Sequence, residues 1–264
     1  MPHHPTTTRR GFTLIGLFVV IALVALLIGI LLPALGASRR TARQMANNTQ
    51  LRGIHQGLVT FAQSNKRGGR DGYFTGLDSQ GDILPNGPAT GNSGDGTEPG
   101  ARVWPLIDGN YFIPDYTVNP ADTHTVELAV PPGGPVPPVH AMHHSYAWLA
   151  IPGVGNAGIG RGHRDTRDEW SETLNARAVV LSDRAIGTGP QDISSLWTTA
   201  GRGDWRGGIV RNDNSTSFDT VHHVEHTKYG PQNANAIDDI FADDPDAVDA
   251  HLVHDDATTA YSEH

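Results

Sequence analysis

Between Gly11 and Ser38 no side chain is ionisable, and Leu14 to Leu35 is almost entirely Leu, Ile, Val, Ala and Phe. As a helix rising 1.5 Å per residue, this run covers about 33 Å, against roughly 30 Å for a bilayer's hydrocarbon core. Its apolar residues occupy every face, whereas a surface helix of a globular domain keeps one polar side. The segment therefore predicts one membrane-spanning helix near the N-terminus. A cleaved secretory signal has only about 7–15 apolar residues before its small-residue site, so the run ahead of Ala34-Leu35-Gly36 is too long for one. Thr8-Arg9-Arg10-Gly11-Phe12 has the look of a twin-arginine export signal, which needs a moderately apolar stretch; this one is extremely apolar. Arg9 and Arg10 precede the span while Arg39, Arg40 and Arg43 follow it, so charge alone does not set the orientation.

The order of residues entering the span is more specific. Arg9-Arg10-Gly11-Phe12-Thr13-Leu14-Ile15, followed by an apolar helix, resembles the class III signal of type IV pilins and type II secretion pseudopilins. The resemblance implies cleavage by a prepilin peptidase between Gly11 and Phe12, N-methylation of Phe12, and a leader of residues 1–11 left in the cytoplasm. A glycine before the scissile bond lets a protease approach the backbone closely. It further implies a single-pass protein of the bacterial inner membrane, its C-terminal domain in the periplasm, in a filament or pseudopilus. Its partners would be other pilin-like subunits, and its role structural, without catalysis.

Two positions bear on assembly. Pro33 falls where many pilins carry a proline; it cannot donate to the carbonyl of Gly29, so the helix should bend or loosen there. The family usually places Glu at the fifth mature position, facing a neighbour's N-terminal amine, and here that position is Gly16. An intramembrane carboxylate is costly unless paired, so its loss removes an attraction that selects and registers subunits. Gly16 points to a minor, initiating or non-polymerising role.

Beyond the anchor (12–36), residues 37–65 continue in helical register, with Met45, Leu51, Ile54, Leu58 and Phe61/Ala62 at three- and four-residue steps. One helix over 12–65 would be about 80 Å long. Asn47–Asn65, with Gln50-Leu51-Arg52-Gly53-Ile54, also resembles a group of bacterial pilin-like proteins common in planctomycetes, in which such a stretch follows Ile-Leu-Leu-Pro-Ala-Leu-Gly, here Ile30–Gly36. Trp205-Arg206-Gly207-Gly208-Ile209-Val210, Asn212-Asp213-Asn214 and Lys228-Tyr229-Gly230 look like that group's closing β-segment.

Residues 66–100 are rich in Gly, Asp, Asn and Pro and read as a long surface loop. Strand-length runs follow at Val103–Ile107, Tyr111–Ile113, Thr125–Val130, Ser145–Ile151, Arg177–Leu181, Gly208–Val210 and Ser217–Val221, with Pro131–Pro138 a stiff connector. The expected fold is α+β: a long N-terminal helix, transmembrane then amphipathic, packed on a small antiparallel sheet in a head over 66–230.

Residues 229–264 hold nine of the 28 acids and no Lys or Arg, so the rest of the chain balances at 19 acids and 19 bases. Residues 231–264 thus read as a solvated acidic tail. A neutral body with an acidic end offers no basic face to a phosphate backbone, which speaks against nucleic-acid binding. With no cysteine, disulfides, thiolate metal sites and cysteine nucleophiles are excluded.

Other candidate chemistry is sparse. His140, His143 and His144 form one histidine cluster, and His222, His223 and His226, with Glu225, another. A metal site drawing on these residues would make the chain a membrane-anchored metal- or ligand-binding protein, the alternative to a pilin-like subunit. His222 and His226 share a face only in a helix; extended backbone holds them about 13 Å apart. His-Glu-x-x-His is absent. Gly153-x-Gly155-x-x-Gly158 matches a dinucleotide fingerprint but lacks the following helix that would hold a pyrophosphate. Asp213, Asn214 and Asp219 offer oxygen ligands for calcium, without the glycine and closing Glu of an EF-hand. No Gly-x-Ser-x-Gly elbow or phosphate loop occurs, so a periplasmic enzyme finds no catalytic constellation here.

Overall fold

The structure is a computed structural model that describes residues 13–66, 72–85, 96–151, 169–187, 192–199, 203–229, 237–242, 252–254 and 261–262. Gly11, Phe12 and the Gly153–Gly158 motif lie outside them. The chain divides into two units, Met1–Arg43 and Gln44–His264.

Helix α1 runs from Leu14 to Ser64 and passes through Pro33, close to the expected 12–65. Thr13 caps it: its carbonyl accepts from the Leu17 amide (3.1 Å) and its Oγ1 from the Gly16 amide (3.2 Å). The hydroxyl satisfies one of the amides that the first turn of a helix leaves without an intrahelical partner.

In the second unit α1 buries Asn47, Leu51, Ile54, His55, Leu58 and Ala62, a stripe at helical spacing that faces the sheet. Met45 is 66% exposed, so the stripe begins at Asn47 and not, as expected, at Met45.

The strands are β1 (Tyr146–Leu149), β2 (Val179–Asp183), β3 (Ala185–Ile186), β4 (Gly207–Arg211), β5 (Thr216–Asp219), β6 (His223–Glu225), β7 (Ile237–Asp239), β8 (Leu252–Val253) and β9 (Tyr261–Ser262). Five of them form one antiparallel sheet in the order β5-β4-β2-β1-β8. Its register aligns Val253, Trp148, Leu181, Val210 and Thr216 in one row. β3 and β9 pair in parallel, and β6 and β7 form an antiparallel ribbon. Every residue of β1 and β2 is buried, so these two central strands are covered on both faces. An edge-on aromatic series, His55–Phe74–Trp170–Trp148, links α1 to β1 at centroid spacings of 5.7, 5.3 and 6.1 Å. The layout is α+β, a long N-terminal helix on an antiparallel sheet, as expected.

Five local expectations need correction. Val103–Ile107 is helical, inside α2 (Pro99–Asp108); Pro99 supplies the fixed φ of a first helical turn, which outweighs the β-propensity of Val103 and Trp104. Tyr111–Ile113 bends into a 3₁₀ segment at Pro114–Thr117, and Thr125–Val130 belongs to no strand. The described part of 66–100 is no surface loop, because Phe74 and Leu77 are core residues. Its backbones touch: a Cβ on Gly96 would sit 1.8 Å from the carbonyl oxygen of Gly76, whose own φ is +92°. The described residues after 230 are not a free tail. Ile240, Phe241, Leu252 and Val253 are buried, and β8 joins the main sheet beside β1.

Candidate functional site

In the first unit the functional surface is the helix itself. Every Leu, Ile, Val and Phe from Leu14 to Leu35 is at least 47% exposed, and no part of the most apolar window is buried. The core helix of a soluble protein shows the opposite. Among the described residues, a single helix, near the N-terminus, is long and apolar enough to span a membrane. Gly16 stands two turns before Leu23 on this helix, and Pro33 lies within it.

The second unit holds α1 through a buried carboxylate that the sequence reading did not single out. Asp183, at the end of β2, accepts from Asn47 Nδ2 (2.8 Å), Asn119 Nδ2 (2.6 Å), Trp197 Nε1 (2.9 Å) and the Gly208 amide (2.6 Å). Burial pushes its pKa up to about 6, while these donors pull it back. Tyr146 Oη donates to Asn47 Oδ1 (3.0 Å), so both ends of the Asn47 amide are engaged. A Cβ on Gly208 would lie 2.7 Å from Leu51 Cδ1 and 2.9 Å from Asn47 Nδ2, so β4 meets the helix at a position with room only for hydrogen. Next along the chain, Arg184 pairs with buried Asp122 at 3.1 Å, and Ser145 Oγ donates to the same carboxylate at 2.8 Å.

The structure redistributes the candidate histidines. His143 Nδ1 accepts from the His140 amide (3.0 Å) within a 3₁₀ turn. His144 is buried and packs on His254, ring centroids 4.7 Å apart; burial, then the neighbouring His254, holds its pKa well below the usual value. His226 ends β6 in the left-handed region (φ 59°) and is exposed. His222 and His223 do come together, with a partner the sequence did not suggest. Their nitrogens and a carboxylate oxygen of Asp239 all lie within 4.8 Å of one another, the one such group of three among the described residues. Burial lowers the pKa of His222, with Asp239 opposing and His223 assisting, which favours the neutral imidazole that binds metals. Among the described residues, no such group draws on both histidine clusters.

The calcium candidates are pulled apart. Asp213 and Asn214 sit in the β4–β5 turn, where Asp213 Oδ1 accepts from the Ser215 amide (2.9 Å). Asp219 pairs with Gly207 at the other end of that hairpin, too far along the strand to share an ion with them. A cleft of about 450 Å³ beside the end of α1 is lined by Phe61, Asn65, Tyr73, Asp78, Ser79 and Pro105, among others. Comparison with protein-family models, curated proteins and solved structures finds no match.

Proposed function

We propose that this chain is a pilin-like subunit of the pseudopilin kind, serving a type II secretion or type IV pilus-like system. Prepilin peptidase cuts between Gly11 and Phe12 and methylates Phe12. The apolar part of α1 then stays in the inner membrane and the head lies in the periplasm. Its work is done by packing against other pilin-like subunits, not by bond chemistry. The observation that carries the reading is α1: wholly apolar and exposed from Leu14 to Leu35, then amphipathic and packed beneath an antiparallel sheet. The signal Arg10-Gly11-Phe12-Thr13-Leu14-Ile15 directly before it gives the reading its chemistry.

N-terminal sequencing and intact mass of the protein from its native host test this. The expected start is N-methylated Phe12. A chain beginning at Met1, or near Ala37, overturns the proposal.

A further inference from the structure

We propose that His222, His223 and Asp239 form a binding site for one first-row divalent transition ion of the zinc class, independent of how the N-terminus is processed. The ribbon builds it. β6 and β7 pair antiparallel with His223 directly opposite Asp239, and the Ile240 amide donates to the His222 carbonyl at 3.2 Å. The chain bends at 220–222 just before β6, which sets the His222 ring beside that of His223, centroids 4.1 Å apart and planes inclined at 44°. Successive residues of a regular strand would instead point to opposite faces.

Two details aim these groups at a common point. His222 is 8% exposed in its side chain, and its Nε2 is buried without a hydrogen-bond partner. Asp239 Oδ2 stands 3.6 Å from that nitrogen, beyond a hydrogen bond but near the spacing of two ligands on one ion. Metal–ligand distances of about 2.0–2.1 Å in a tetrahedron put ligand atoms about 3.3 Å apart. Asp239 is held from behind, since its Oδ1 accepts from the Phe241 amide at 3.1 Å, leaving Oδ2 for the ion. His223 is exposed and can close the remaining gap by a side-chain rotation. Its exposure also provides the entry path.

The donor set selects the ion. Two imidazoles and one carboxylate suit zinc and its first-row neighbours, whereas calcium and magnesium want oxygen ligands throughout. Three protein ligands leave a fourth position for water or for a donor from a partner. Bound there, the ion would pin β7, and with it the acid-rich end of the chain, to the body of the head.

The test uses the full-length protein in detergent, freed of metal with a chelator and titrated with zinc by calorimetry and with cobalt by visible absorption. The expected result is one equivalent of zinc, a tetrahedral cobalt spectrum, and a melting temperature that rises with zinc. His223→Ala and Asp239→Asn should each weaken binding by at least the roughly 10–100-fold that loss of an outer-sphere partner costs. Neither should disturb the metal-free melt, since His223 is exposed and Asn retains an acceptor for the Phe241 amide. A double variant, His140→Ala with His143→Ala, should bind as wild type. The proposal is overturned if no stoichiometric ion binds, or if His223→Ala and Asp239→Asn bind as tightly as wild type.

Discussion

Asp183 shows how one residue can fasten an element. Four donors from α1, two loops and β4 converge on its carboxylate; removing it would strand several of them in the core. Asp183→Ala should cost about 3–5 kcal/mol, the range for breaking a buried charged network, seen as a lower melting temperature. Its titration has a definite sign. The folded pKa of about 6 lies above the ordinary value of 3.8, so folding favours the protonated form. The stability due to Asp183 is complete below pH 3.8 and is lost as pH rises toward 6, by on the order of 3 kcal/mol. Buried His55 and His144, whose pKa values are lowered by burial, act oppositely as pH falls below 6.5. The difference between wild type and Asp183→Asn isolates the carboxylate: the wild type's relative stability should fall as pH rises from 3.8 to about 6. Nothing in the sequence marks Asp183, because its importance comes from four partners scattered between positions 47 and 208. Asp239 was hidden for the same reason, its link to His222 and His223 being a strand register and not a spacing. His222 and His223 themselves were legible as a pair of ligand-type residues.

At the level of elements, legibility followed periodicity. The unbroken apolar run and the helical stripe after it let the ends of α1 be read to within two residues, and β1, β2, β4 and β5 each overlap an apolar run bounded by turn residues. Short or mixed signals failed. Val103–Ile107 carries β-formers, and only Pro99 at the front marked it as a helix. β8 is two residues long and sits in an acid-rich stretch, so no periodicity could reveal it. The apolar part of α1 carries its own prediction. Gly16 leaves no carboxylate on the helix between Leu14 and Ser64, so on the proposed function polymerisation is limited by the absent acid. Gly16→Glu should move the protein into the sheared filament fraction, assayed by immunoblot; an unchanged distribution would place the limit elsewhere.

For the molecule as a whole, the proposed function places the exposed apolar helix in a hydrocarbon environment. The full chain should pellet with membranes and resist alkaline carbonate extraction. Leu27→Arg should release a fraction of it, since an arginine near the middle of a membrane helix costs about 2.5–3.5 kcal/mol on insertion scales. The two-residue β8 adds a temporal constraint. Its partner β1 is made more than a hundred positions earlier, Leu149 against Leu252. Throughout that interval of synthesis one margin of β1 has unpaired amides and carbonyls, flanked by Trp148 and Leu149. A nascent head is therefore sticky until its final stretch arrives, and a chain stopped short of Leu252 should accumulate as aggregates and not as a smaller folded domain.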